Sequence, residues 1–162
     1  MTRGRDDLVA GKLDGPVLFA YDGFEDARAA IRQAGRQLPD GCAAIVLTVW
    51  EPFKAMPFAS TPTTPGGLEQ SIEHEARRVA DQGARLARAH GFAAVAVAER
   101  GDSVWKRIVQ SAEEHDASMV VLGAHGRTGT RLIALGSVVV ATVEHTARPV
   151  LIVHAPPRAL AA

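Results

Sequence analysis

Five short apolar runs constrain this chain more than any other feature: Pro16–Tyr21, Cys42–Trp50, Phe92–Ala98, Ser118–Gly123 and Pro149–His154. None alternates apolar with polar residues as a strand with one wet face would, so each predicts a strand covered on both sides. A parallel sheet sandwiched between helices offers that environment. The segments between the runs have helical spacing. Glu25–Leu38 carries Ala27, Ala30, Ile31, Ala34 and Leu38 on one face and is broken by Pro39-Asp40-Gly41. Leu68–His90 steps through Leu68, Ile72, Ala76, Val79, Gly83, Leu86 and His90, with acids early (Glu69, Glu73, Glu75) and arginines late (Arg85, Arg88), as the helix dipole favours. Glu73-His74-Glu75 reads as a solvated face, because consecutive helical residues point in different directions and cannot converge on a metal. Val104–Glu114 is a third helix, turned and capped by Gly101-Asp102-Ser103, with Ile108, Val109 and Ala112 inward.

Ser137–Thr146 opposes two rules. Val138, Val139, Val140, Thr142 and Val143 favour a strand by propensity. The last apolar run, however, needs a crossover to lie parallel to the one before it, and this is the segment available to make it. A helix is therefore predicted. Strands alternating with helices make the chain an α/β protein, an open five-stranded parallel sheet with helices on both faces. The 162 residues, 47% of them hydrophobic, suit one domain over residues 16–155, after a flexible arm (1–15) and before a disordered tail (156–162).

Open α/β sheets bind ligands beyond the carboxyl ends of their strands. Asp22-Gly23 follows the first strand there, and the glycine-rich stretch Gly123-Ala124-His125-Gly126-Arg127-Thr128-Gly129 follows the fourth. Glycines let the backbone approach a ligand closely, and unpaired amides where a helix opens attract anions. No acidic side chain lies between Asp116 and Glu144, while Arg127 and Arg131 add positive charge. These residues read as a phosphate cradle, hence a nucleotide site; a loop that merely turns the chain is the competing reading. Two other phosphate motifs are absent. The only Gly-Lys pair, Gly11-Lys12, has Asp6 where a P-loop needs its first glycine, and no G-x-G-x-x-G follows a strand.

The spacing Gly123-x2-Gly126-x9-Gly136-Ser137 resembles the nucleotide-binding signature of the universal stress protein family. The likeness extends over nearly everything from Pro16 to His154, including Asp22-Gly23, Leu47-Thr48-Val49 and Pro149-Val150-Leu151-Ile152-Val153. It implies a Rossmann-like sheet in the order 3-2-1-4-5 and a cytoplasmic stress-response regulator that binds ATP, AMP or another adenine nucleotide. By the same likeness Asp22, Val49, Gly123, Gly126, Gly136 and Ser137 hold the nucleotide, Val49 through its backbone to adenine, while Ala20, Tyr21 and Val138 line the pocket and Arg127 is a basic neighbour. Apolar residues at strand ends are also ordinary core, Arg127 also reads as a solvated loop residue, and Ser137 as a helix cap. Mg²⁺ or Mn²⁺ would accompany the phosphates, with Asp22 as the candidate carboxylate. Strand five, at the sheet edge in that order, would pair with its copy in a homodimer through Val150 and Ile152. Two residues depart from the family pattern. Phe24 stands where serine is common and cannot cap the first helix, and Thr48 stands where histidine is common.

Composition narrows the rest. Lys+Arg and Asp+Glu balance at 18 each, which argues against long-range attraction to nucleic acid or an anionic membrane. The N-terminal residues are charged rather than apolar, and no stretch reaches ~18 uninterrupted apolar residues, so a cytoplasmic protein is expected. A single cysteine, Cys42, excludes an internal disulfide and opens an apolar run, which makes it core rather than nucleophile. Six histidines without paired spacing predict no structural zinc. No Ser-His-Asp spacing and no obvious general base assigns a catalytic residue, so at best a slow ATPase is expected. Glu51–Gly67 contains Pro52, Pro57, Pro62 and Pro65 and predicts a long loop. It would fold over the ligand with Phe53, Met56 and Phe58, or recognise an unknown protein partner if the fold is a nucleotide-free adaptor. An adenylate-transferring enzyme would need a serine-glycine-rich loop after strand one, and Asp22-Gly23-Phe24-Glu25 is not one.

Overall fold

A computed structural model describes residues 13–52, 66–126 and 135–156. Along the chain run β1 (Val17–Ala20), α1 (Glu25–Gln37), β2 (Ala43–Trp50), α2 (Gly67–Ala89), β3 (Ala93–Arg100), α3 (Val104–Glu114), β4 (Met119–Gly123), α4 (Ser137–His145) and β5 (Val150–Val153). The strands form one parallel sheet in the order β3-β2-β1-β4-β5. Val17, Leu18 and Phe19 of the central β1 are at most 1% exposed, as a strand with neighbours on both edges and helices on both faces must be. Successive β1 side chains point to opposite faces. Val17 and Phe19 join the layer under α1 and α2, while Leu18 joins Ile108 of α3 and Val139 of α4 on the other.

Each helix start and stop has a local cause. Phe24 precedes α1 in extended conformation and gives no side-chain cap, as its side chain requires; Glu25 and Asp26 place negative charge in the first turn instead. Leu38 is extended because the ring of Pro39 crowds it out of the helical region, and α1 stops there. Ser103, expected as a cap, precedes α3 in extended conformation without a side-chain cap hydrogen bond. In α3 Ile108 and Ala112 are buried as expected, Val109 is half-buried, and Ser111 is buried with its hydroxyl oxygen unpartnered among the described residues.

The line along which α2 meets the sheet differs from the expected apolar stripe. Ala76, Ala80, Gly83, Ala84 and Ala87 are the buried set, while Val79 and Leu86 flank it half-buried and Leu68 is exposed. The reason is close approach. A Cβ on Gly83 would lie 2.6 Å from Val46 Cγ1 and 2.7 Å from the Tyr21 ring, so only a residue without one lets the helix settle at this depth. β3 runs to Arg100, two residues beyond the expected end, because its ladder with β2 continues to Trp50↔Arg100 and Glu99 pairs with Arg107 Nε at 2.6 Å.

α4 is helical against its propensity. The β5 strand pairs parallel to β4, from Val120↔Val150 to Gly123↔Val153, and α4 is the helix between them that makes the return. Thr142 is buried and its hydroxyl donates to the Val138 carbonyl at 2.7 Å, satisfying its polar group within the helix. Val140 and Val143 remain exposed. At the start of β5 the Arg148 guanidinium donates to Glu113, Asp116 and the Ala117 carbonyl, fixing that strand to the end of α3. Leu13 packs against the core, and Gly15 lies so close to the Asp116 carbonyl that a Cβ would come within 2.1 Å. The last residues of the expected flexible arm are therefore packed.

Gly83→Ala should lower unfolding free energy by about 1–3 kcal/mol through overpacking. Gly67→Ala, with nothing within 4 Å of its Cβ position, should leave it unchanged or raise it by up to about 1 kcal/mol. Urea denaturation of the two variants checks both. A Gly83→Ala protein as stable as the parent would contradict the close seating of α2.

Candidate functional site

The order β3-β2-β1-β4-β5 reverses direction between β1 and β4, and the chain leaves those two neighbours toward opposite sides of the sheet. Open α/β sheets place their ligand crevice beyond the carboxyl ends at such a switch point. Asp22 stands on one lip, exposed, with Oδ1 accepting the Phe24 N–H at 3.0 Å. That bond across two residues fixes the carboxylate at the turn into α1. Gly126 stands opposite: a Cβ on it would lie 3.1 Å from Asp22 Oδ2. The Gly136 N–H donates to the Ala124 carbonyl at 2.8 Å, so the two ends of the glycine-rich stretch are joined at their base. Gly136 is the residue before α4, and Ser137, exposed, is its first residue. The amides of that first turn have no partner within the helix.

Sequence-expected residues thus converge in part. Asp22, Gly126 and Gly136 meet by way of β1, the end of β4 and the start of α4, and Ser137 follows Gly136 as the first residue of α4. Val49 is half-buried on β2, in register with Glu99. The β1–β2 ladder stops at Ala20↔Leu47, with one further bond from Tyr21 N–H to the Leu47 carbonyl, so Val49 overhangs β1 on the ligand side. Ala20 and Val138 are half-buried against the layer beneath α3 and α4. The Tyr21 ring turns the other way, into the core against the Gly83 position. Gly123 does something the motif does not convey: a Cβ there would meet Asp26 C at 2.5 Å and Ala27 N at 2.6 Å, so its bareness admits the backbone of α1. Arg127 and Arg131, with Phe53, Met56 and Phe58 of the expected flap, lie outside the described residues.

Two residues were not anticipated. Thr48 is buried and its hydroxyl donates to the Tyr21 carbonyl at 2.8 Å, tying the backbone just before Asp22 to β2. This gives the departure from histidine at that position a structural role. Asp26 is the other. Its Oδ2 accepts the His125 N–H at 3.0 Å and faces His125 Nδ1 at 2.9 Å, and its Oδ1 accepts the Ala155 N–H at 3.1 Å. Only 12% of the Asp26 side chain and 14% of the His125 side chain is exposed, so the pair is shielded from solvent. The His125 ring also meets His154 edge-on, with centroids 5.6 Å apart. The sequence did carry a signal for Asp26. It lies four residues before Ala30, on the stripe of α1 that faces the core, where an acid requires a partner.

Burial pushes the Asp26 carboxyl upward, but hydrogen bonds from the His125 ring, the Ala155 amide and the His125 amide outweigh it and hold the group below the ordinary carboxylate range. Among the described residues no group of three or more His, Cys, Asp or Glu is arranged to hold a metal ion, and no helix is long and apolar enough to cross a membrane. Bare glycine backbone beside the opening of α4 is the chemistry that suits a phosphate group, since unpaired amides at a helix start attract anions.

The universal stress protein family model matches residues 15–154. No curated protein matches the sequence. Solved structures share the fold. One is a hypothetical protein whose biochemical function was assigned from its structure (22% identity, TM-score 0.73, covering 88% of this chain and 96% of that one). A second is the universal stress protein from Archaeoglobus fulgidus in complex with dAMP (19%, 0.58, 87% and 98%). A third is a family protein from Arabidopsis thaliana with AMP bound (16%, 0.64, 88% and 93%).

Asp26→Asn should cost about 1–3 kcal/mol of stability near neutral pH, because one of its three acceptor contacts then meets a donor. The folded carboxyl titrates below its unfolded value, so its contribution is present above that value and is lost as pH falls through the lower one. The difference between parent and variant should therefore shrink as pH drops from about 5 to about 3. Urea melts across that range measure it, and a difference that stays constant would remove the carboxylate's charge from the account.

Proposed function

The chain belongs to the universal stress protein family, and from that premise we propose that it is a cytoplasmic stress-response regulator that binds ATP in the crevice between β1 and β4, with slow hydrolysis or none. The observation that carries this reading is the juxtaposition of Gly126 with Asp22, where a single Cβ would close the gap to 3.1 Å. Gly126 presents bare backbone there, and the base of the loop is held by Gly136 and Ala124. Nucleotides in relatives support it: the Archaeoglobus fulgidus protein is in complex with dAMP and the Arabidopsis thaliana protein has AMP bound.

In this reading the Gly126 amide, the bare backbone at Gly136 and the Ser137 hydroxyl face the phosphates, with Arg127 adding charge. Gly123 serves indirectly by letting α1 come close. The overhanging backbone at Val49 meets adenine, beside Ala20 and Val138, and Asp22 takes the divalent ion that accompanies the phosphates. Bound Mg²⁺ or Mn²⁺ would neutralise phosphate charge next to an exposed carboxylate; the chain's own part is to orient the triphosphate and exclude bulk from its path. The β5 strand lies at the sheet edge with Val150 and Ile152 half-buried, which supports a homodimer in which β5 meets its copy.

ATP with Mg²⁺ should bind in isothermal titration, and Gly126→Asp combined with Gly136→Asp should weaken it at least about a hundredfold by bringing bulk and negative charge into the phosphate site. A Cβ at Gly136 makes only ordinary contacts, 3.4 Å at the nearest, so that substitution is compatible with the fold, and circular dichroism verifies the double variant. Undiminished binding by the folded double variant would remove the cradle assignment; no binding by the parent would favour a nucleotide-free adaptor.

Sedimentation at micromolar concentration should return twice the 17.1 kDa protomer mass. A single protomer mass would contradict the β5 pairing.

A further inference from the structure

We propose that Asp26, which lies outside the glycine motif, is a positioning residue for the nucleotide: its carboxylate clamps the start of the phosphate loop to α1 and to the chain leaving β5. The proposal rests on the nucleotide reading above and adds a residue to it. Three elements meet at this one side chain. The helix supplies the carboxylate, the chain after β4 supplies the His125 N–H and ring, and the chain after β5 supplies the Ala155 N–H. Gly123 makes the meeting possible, since any side chain there would strike the Asp26 and Ala27 backbone and push the helix away.

The consequence falls on the next residue. Gly126, bonded to His125, is the one set against Asp22 across the crevice. With the His125 amide held at Asp26, the backbone leading into Gly126 is restrained, and the direction in which the chain presents Gly126 is biased before a ligand arrives. Asp22 and Asp26 thus hold the two lips from the same end of α1, one through the Phe24 amide and the other through the His125 amide.

A charge effect and a positioning effect have opposite signs here. Asp26 is negative and close to the loop, so if it acted only through charge, Asp26→Asn would strengthen binding of a polyphosphate. Positioning predicts weakening, because the asparagine amide presents a donor to one of the N–H groups that the carboxylate accepts. Positioning also acts on phosphate contacts and spares the nucleoside contacts made at Val49.

Isothermal titration of the full chain with ATP·Mg²⁺ and with adenosine separates these. Asp26→Asn should weaken ATP about tenfold while changing adenosine less than about twofold. Unchanged or tightened ATP binding by the folded variant, or an equal loss for both ligands, overturns the proposal. Amide hydrogen exchange without nucleotide reads the clamp itself: His125 should exchange at least about tenfold faster in Asp26→Asn than in the parent, at matched exchange of the β1 core amides. Equal His125 exchange in the two proteins overturns it as well. A parent chain that binds neither ligand yet shows the His125 difference locates the failure in the nucleotide reading, and refutes the role of Asp26 in binding along with it.

Discussion

Everything in this molecule follows from the burial of β1. Its backbone pairs with β2 on one edge and β4 on the other, from Val17↔Ala44 and Val17↔Met119 to Ala20↔Leu47 and Ala20↔Leu122, and neither face of Val17, Leu18 or Phe19 meets water. A strand so enclosed satisfies its polar backbone only through those two ladders. Parallel pairing obliges every connection to cross the length of the sheet, and the crossovers supply the helices that cover both faces. It also gathers all carboxyl ends on one edge. The crevice between Asp22 and Gly126 is thus a product of topology before it is a product of any side chain.

Small residues decide how closely the layers approach. Gly83 lets α2 rest on Val46 and Tyr21, Gly35 lets α1 pass the His90 carbonyl, where a Cβ would come within 2.7 Å, and Gly123 lets the start of α1 press against the end of β4. The same chemical feature, a missing Cβ, serves packing at Gly83 and Gly35 and lets the backbone at Gly126 come up against Asp22. At Gly123 the two uses join. The packing it permits brings the Asp26 carboxylate within reach of the His125 amide, and loop geometry becomes a consequence of helix seating.

The polar groups near the crevice work by holding backbone. Asp22 holds the Phe24 amide, Thr48 holds the Tyr21 carbonyl, Asp26 holds the His125 and Ala155 amides, and Gly136 closes on Ala124. Such bonds fix the backbone in advance, so that a ligand binding there would not spend its binding energy on ordering the protein.

The order of elements, the parallel sheet and the glycine signature were legible in the amino-acid sequence because each rests on local rules. Uninterrupted apolar runs mean double-sided burial, helical spacing means crossovers, and a strand followed by Gly123-x2-Gly126 means close backbone approach. Even α4 was accessible, since the connection requirement outweighs the strand propensity of its valines. Tertiary structure decided what depends on depth and distance. The buried stripe of α2 was shifted because close packing on Val46 selects alanine and glycine over the larger apolar residues that periodicity counts. The bonding roles of Thr48 and Asp26 were not legible because their partners lie 27 and 99 residues away, and no local pattern encodes which carbonyl or amide will arrive opposite a side chain. A sequence states which residues need a partner; only the folded chain brings the partner within 3 Å.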